Sequence, residues 1–488
     1  MSIIMQEDDY CHAKGARDAR PFTMDVQVKF LGATGTVTGS RYLLDIGNFR
    51  LLFDCGLFQG LKELRLRNWE AFPVKADSID AVIISHAHID HTGYLPRLVK
   101  EGFKGPIYCT PPTASLLEIM LLDSAKLQEE EALFALKRGY SKHDPPKPLY
   151  TSEDAATVFP LLREHGYDQE ITISDNTSFV FRDAGHLLGS AITELYVHGA
   201  TQRKKIVFSG DLGRNHDALL RPPAIITAAD ILFIESTYGN KDNPAPDPEA
   251  DLERIVTGAL AKGGVVLIPA FAVGRTQLLL YHLHQLMETN RIPDIPVYID
   301  SPMAISATYL YYRYPTYHKA QFNQTEFARK LETNMLMFVK TSEHSKRLNE
   351  IKSNAIIISS SGMMAGGRIL HHLYHRLPNA QDTIVVSGYQ AEGTRGRNLI
   401  DRAPAIRIFG EDVPVRCTVE NMTSLSGHAD KQELFEWMGH FQEAPKFVFP
   451  IHGEKNNIDA YADEISHRFG WKVLKPVYLE SVQLFRGI

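Results

Sequence analysis

With 488 residues, 44% of them hydrophobic and 23% charged, the chain has ordinary globular composition and is too long for one typical core, so two domains, or one carrying a large insertion, are expected. A net charge of −6, from 58 acidic against 52 basic residues, excludes a protein that coats DNA non-specifically, yet leaves room for a nucleic-acid substrate met by a local metal site and a few arginines. No apolar run is long enough to span a bilayer, the longest candidate being residues 263–274.

Residues 1–23 mix charges of both signs and have no apolar core region, so they read as a mobile tail rather than a secretion signal, with structure beginning near Met24. Residues 27–31 alternate polar and apolar and run into a turn-rich segment, 32–40. Residues 41–46 and 49–53 predict a hairpin around Gly47-Asn48, and 81–85 is the short apolar run of a buried strand. One long helix is expected over 112–138, with Leu116, Leu117, Met120 and Leu121 at helical spacing and Glu129-Glu130-Glu131 exposed. Asp144-Pro145-Pro146-Lys147-Pro148 ends that region. Strands resume at 178–181 and 205–208, the basic Arg203-Lys204-Lys205 forming an exposed strand edge or turn. From about residue 239, strand-like 265–270, 297–299, 355–359 and 383–387 are separated by helical stretches, notably 276–288 and 368–377. That alternation predicts a parallel α/β sheet. Near residue 423 short motif-bearing loops return, and no solenoid repeat is evident. The simplest architecture is one α/β domain, 24–238 and 423–488, interrupted by another, 239–422. Cys11, Cys55, Cys109 and Cys417 lie far apart in no disulfide or metal spacing, as expected of reduced thiols in a cytoplasmic protein.

The strongest chemical signal is His86-Ala87-His88-Ile89-Asp90-His91, directly after an apolar strand. In extended chain His86 and His88 point the same way, so both imidazoles can hold one metal. Asp90 and His91 follow as the chain turns, and can face a second. Imidazole with carboxylate suits zinc, and manganese or iron is compatible with the same donors.

The run has the H-x-H-x-D-H form of the metallo-β-lactamase superfamily, and its companions follow in order. Asp54 in Asp54-Cys55-Gly56 resembles the first motif, which orients the histidine loop. His186 in Gly185-His186-Leu187 resembles the third, and Asp211 in Gly210-Asp211-Leu212 the fourth, a carboxylate bridging the metals. Glu235 in Glu235-Ser236-Thr237, His428 in Gly427-His428-Ala429 and His452 in Ile451-His452-Gly453 are similar to motifs A, B and C of the β-CASP subgroup, its nucleic-acid-processing branch. That resemblance runs from about residue 26 to 460. A histidine at motif C resembles the RNA-processing side, which includes the endonuclease of the eukaryotic cleavage and polyadenylation machinery. Without the N-terminal KH domains of many archaeal relatives or a long C-terminal extension, a compact prokaryotic member is expected.

The resemblance implies an α/β fold: a metallo-β-lactamase αββα sandwich with an inserted α/β β-CASP domain. It implies two Zn2+ (or Mn2+ or Fe), one on His86, His88 and His186, the other on Asp90, His91 and His452, with Asp211 shared. Two such cations about 3.5–4 Å apart would activate a hydroxide for in-line attack on phosphorus. His428, held by Glu235, would protonate the leaving 3′-oxygen, giving 5′-phosphate and 3′-hydroxyl ends. The expected substrate is single-stranded RNA; no membrane partner is expected, and a homodimer is compatible. Arg275, Arg368, Arg395 and Arg397, in Gly-containing loops, are candidates for phosphate contacts. His371 and His375 have a helical i, i+4 spacing but are expected to be solvated or substrate-facing. Competing readings are a thioester or lactam hydrolase of the same fold, and a non-catalytic RNA-processing scaffold. The latter loses metal ligands in such relatives, whereas every ligand motif here is filled.

Overall fold

Strand Val26–Phe30 buries Val26, Val28 and Phe30 on one face, as period-two alternation requires. It pairs antiparallel with Tyr42–Ile46, which turns through Gly47-Asn48 into Phe49–Phe53, so the expected hairpin is present. In a computed structural model the described residues are 24–138, 145–200, 202–242, 247–319, 335–388 and 390–488. The tail 1–23 with Cys11, and Asp144 of the Pro-rich connection, lie outside them.

The first sheet runs Ser481–Phe485, Val26–Phe30, Tyr42–Ile46, Phe49–Phe53, Ala81–Ile83, Ile107–Cys109, Leu162–Glu164. The second runs Phe447–Ile451, Ile231–Glu235, Arg203–Phe208, Ala191–His198, Thr177–Asp183, Glu170–Ser174. Their facing sides share one core, where Phe53, Phe208, Phe233 and Phe449 stack in succession with centroids 4.0, 4.3 and 4.9 Å apart. Such pairs add about 0.5–1.5 kcal/mol each beyond their buried area. The opposite faces are covered by helices: Leu95–Lys100 and Pro111–Arg138 on the first sheet, Lys431–Met438 and Lys455–Phe469 on the second. The result is the αββα sandwich that the resemblance implies.

Residues 265–422 supply the third sheet, in the order Leu336–Phe338, Val297–Asp300, Ala355–Ser359, Val265–Pro269, Thr383–Ser387, Thr418–Met422. All its pairings are parallel. Its central strands are buried from end to end, as the continuous apolar runs require of a sheet covered on both faces. The edge strand Leu336–Phe338 lies in the apolar run 335–339, which the sequence reading did not single out.

Two details differ from expectation. The long helix starts at Pro111, and within it Glu129 is half-buried, because its carboxylate accepts from Ser152 N at 3.0 Å and Ser152 Oγ at 2.8 Å. The basic run Arg203-Lys204-Lys205 opens strand Arg203–Phe208 and is neutralised by Glu170, Asp230 and Glu194. No helix among the described residues is long and apolar enough to cross a membrane.

Candidate metal centre

The chemistry-bearing side chains collect where strands end. Asp54 follows Phe49–Phe53, His86 lies just past Ala81–Ile83, His186 past Thr177–Asp183, Asp211 past Arg203–Phe208, and His452 follows Phe447–Ile451. Asp54 and His452 take left-handed backbone, φ 55° and 51°, which turns each side chain out of its strand direction. Asp90 and His91 sit in the short helix Ile89–Thr92, which rests directly on Gly56. A Cβ on Gly56 would lie 1.5 Å from the Asp90 carbonyl oxygen, so only glycine permits this approach.

The ring nitrogens converge. His86 Nε2 and His88 Nδ1 are 3.0 Å apart, His186 Nε2 is 3.3 Å from the same His88 atom, and His91 Nε2 is 3.1 Å from His452 Nε2. Donor atoms of His86, His88, His186 and Asp211 all lie within 4.8 Å of one another, as do those of Asp90, His91 and His452. Asp211 stands between the sets: its Oδ2 is 3.5 Å from His86 Nε2 and 3.4 Å from His91 Nε2. The residues fit divalent cations on their own chemistry. Asp211 Oδ1 is buried without a hydrogen bond, and imidazole nitrogens this close need a shared cation or proton between them.

The outward atoms of the same rings are held. His91 Nδ1 is 2.7 Å from Asp54 Oδ2, His186 Nδ1 2.9 Å from the Gly427 carbonyl, and His452 Nδ1 3.1 Å from Thr237 Oγ1. Ser85 Oγ donates to Asp54 Oδ2 at 2.9 Å and lies 3.1 Å from His86 Nδ1. Such partners set tautomer and orientation. Ser85, Thr237 and the Gly427 carbonyl were not singled out in the sequence; each adjoins a ligand or motif residue, which is the only signal available.

Electrostatics match this arrangement except at His91, where burial disfavours the charge but Asp211 and Asp54 outweigh it and raise the ring well above the ordinary histidine range. Burial holds His86 and His186 well below the ordinary histidine range and His88 at about 4, so these rings are neutral. Burial works against the charge on Asp90, but His452, His91 and His88 hold it at about 2. Burial likewise opposes the Asp211 charge, and His452, His91 and His86 outweigh it and keep the carboxyl well below its usual range. Neutral imidazoles and ionised carboxylates are the forms that ligate.

His428 lies beside this set, its ring 4.4 Å from that of His186. Its Nδ1 is 3.2 Å from both oxygens of the fully buried Glu235, which also accepts from Leu212 N at 2.6 Å. Burial opposes a charge on His428, but Glu235, Asp211 and Asp90 prevail and raise its pKa. The next residues close the loop, because Asp430 caps helix Lys431–Met438 in a reciprocal box with Glu433.

His88, His186, Asp211, His428 and His452 open on a cleft of about 1010 Å³ that the third sheet's loops share with the sandwich. Of the arginines singled out, Arg275 and Arg395 line it. Arg368 does not: it is tied to Asp300 Oδ1 at 2.7 Å and to the carbonyls of Val339 and Lys340. Arg397 is paired with Asp401 at 3.0 Å. His371 and His375 are exposed, whereas the intervening His372 is buried against Asp300.

Residues 34–260 match the metallo-β-lactamase superfamily, 276–399 the Beta-Casp domain, and 412–476 the Zn-dependent metallo-hydrolase RNA specificity domain. The chain is 37% identical over 430 residues to Ribonuclease TTHA0252 of Thermus thermophilus, covering 88% of this chain and 93% of that protein. It is 29% identical over 471 residues to the transcription termination factor FttA of Methanocaldococcus jannaschii, covering 94% and 72%. A protein of unknown function from Enterococcus faecalis shares the fold, with a TM-score of 0.52 at 14% identity over 94% of this chain and all of that one.

Proposed function

This chain belongs to the β-CASP branch of the metallo-β-lactamase superfamily, and we propose that it is a metal-dependent ribonuclease cutting single-stranded RNA. The observation that carries this reading is the Glu235–His428 pair standing beside a buried imidazole–carboxylate cluster on the floor of an open cleft. A small-molecule hydrolase has no need of the Glu235–His428 pair beside the cluster, and a scaffold needs no filled ligand set.

We assign His86, His88 and His186 to one divalent cation, Asp90, His91 and His452 to a second, and Asp211 to both. Zinc fits these nitrogen and oxygen donors, with manganese or iron compatible. When bound, such cations acidify water and draw charge from phosphoryl oxygens. The protein's own part is positional. Asp54, Ser85 and Thr237 fix the rings. Glu235 accepts from His428 Nδ1, which leaves Nε2 free to carry a proton toward the departing 3′-oxygen, so that 3′-hydroxyl and 5′-phosphate ends result. We take residues 239–422 as the inserted domain that walls the cleft. Cys55, Cys109 and Cys417 are free and buried, which fits a reducing cytoplasm.

The test is cleavage of 5′- and 3′-labelled RNAs, linear and circular, with and without chelator. The expected result is hydrolysis that stops in chelator and leaves 3′-hydroxyl ends; cutting of the circle establishes internal cleavage. A chain that hydrolyses a chromogenic lactam or thioester but leaves every RNA intact would overturn the reading.

A further inference from the structure

Among the described residues, buried guanidinium groups are paired. Arg41 donates to the Gly56 carbonyl at 2.7 Å and to Asn68, Arg214 pairs with Glu433 at 2.7 Å, and Arg376 pairs with Asp382 at 3.2 Å. Even Arg395, on the cleft wall, donates to the carbonyls of Arg407, Met364 and Ala365. The reason is general: a buried cation without an acceptor destabilises the fold.

Half-buried Arg275 is the exception. Its Nη1 is buried without a hydrogen bond, and among the described residues no carboxylate or carbonyl accepts from the group. It opens helix Arg275–Glu288 and lines the cleft. Gly388 makes room for it, and Gly427 lies in ordinary contact with it. A Cβ on Gly388 would fall 3.0 Å from Nη2, and a Cβ on Gly427 would fall 3.7 Å from Nη2 and 3.6 Å from His186 Cε1. The guanidinium therefore lies alongside a metal-ligand imidazole, separated only by the glycine that precedes His428. Burial pulls its pKa down to about 10, with Tyr238 and Asp217 acting the other way, so it is charged at neutral pH. Four residues earlier, half-buried Phe271 also lines the cleft, its ring 6.1 Å from that of His88. One short loop thus presents a cation and an aromatic face on the same side of the His86, His88 and His186 set.

Resting on the ribonuclease reading, we infer that Phe271 and Arg275 form the subsite for the nucleotide whose 3′-oxygen leaves. Arg275 receives that nucleotide's own 5′-phosphate, and Phe271 stacks on its base. The direction follows from His428: the group next to Gly427 protonates the leaving oxygen, and the strand continues from that oxygen, through its ribose, toward Arg275. A phosphate supplies the acceptors that the protein withholds, and a stacked base is held without being identified, so cleavage at this position tolerates sequence.

The inference is tested with the metal-loaded full chain in single-turnover cleavage of labelled RNA, comparing wild type with Arg275→Met. Removing one charged phosphate contact should raise the half-saturating concentration about tenfold to a hundredfold while changing the maximal rate less. The dependence of log affinity on log salt should flatten by about 0.7, one single-strand phosphate. Thermal unfolding separates this from a structural role: relief of an unpaired buried charge should leave Arg275→Met as stable as wild type or more so. An RNA with a neutral methylphosphonate one nucleotide 5′ of the cut should slow wild type and slow Arg275→Met no further. Unchanged half-saturation and salt slope, a lowered melting temperature, or a methylphosphonate penalty that persists in the variant would each overturn the subsite. If wild type cuts no RNA at all, it is the ribonuclease reading that fails.

Discussion

Asp54→Asn isolates the contribution of a residue that touches no cation in the arrangement above. Asp54 accepts from Ser85 N at 2.8 Å through Oδ1, and its Oδ2 faces Ser85 Oγ at 2.9 Å, His91 Nδ1 at 2.7 Å and Ser40 Oγ at 3.3 Å. An asparagine fits the same space and tolerates the φ of 55°. One oxygen, however, becomes an NH2 donor. Turned toward Ser85 N, it sets two donors against each other in a site where Asp54 is 1% exposed, at a cost of about 1–3 kcal/mol. Turned toward His91, it forces Nδ1 to accept, which moves the ring proton to Nε2, the atom that faces Asp211 and His452. The second orientation avoids the clash because the serine hydroxyls can rotate to accept. Metal affinity should then fall about 10- to 100-fold, with the metal-free protein losing no more than about 3 kcal/mol. Competition against a chromophoric chelator measures the first quantity, and urea unfolding in excess chelator the second. If Asp54→Asn binds metal as tightly as wild type, the proposed control of the His91 tautomer is wrong.

Asp211→Ala should remove the carboxylate common to both donor sets, abolishing cleavage together with metal content by elemental analysis; retained stoichiometric metal would refute the bridging assignment. His428→Ala should keep its metals, because the Gly427 carbonyl that holds His186 is main chain, and should slow turnover about 10²- to 10⁴-fold. Loss of metal in that variant would place His428 in the ligand set instead. Gly56→Ala should be destabilised by about 3 kcal/mol or more, because the new Cβ meets the Asp90 carbonyl at 1.5 Å, and a melting temperature near wild type would show that the loop yields. Chelation should lower the melting temperature of wild type: a site saturated at a hundred times its Kd contributes about 2.7 kcal/mol, so an unchanged transition would mean that the cluster binds no cation in the native state.

How much of this was legible before folding depends on the range over which each feature is set. The apolar runs at 265–269, 355–359 and 383–387 read directly as buried strands, because a sheet covered on both faces demands unbroken hydrophobic residues. The histidine run was equally plain, since backbone period alone puts His86 and His88 on one side within three residues. Arginine roles were not. Arg275, Arg368, Arg395 and Arg397 look alike as loop residues. Only packing around Asp300 ties Arg368 down, and only the bare backbone of Gly388 leaves Arg275 room beside the loop of Gly427 and His428.

By itself the sequence determined which residue types are present to ligate, their order along the chain, and the strands after which they fall. The tertiary structure decided which of them meet. His428 reaches Glu235 across 193 residues, and His91 meets His452 across 361, because the ends of strands from two sheets are brought level by the aromatic core between them. Local periodicity sets the direction of a side chain over a few residues. Register and layer packing set its neighbours, and those carry no local signature in the chain.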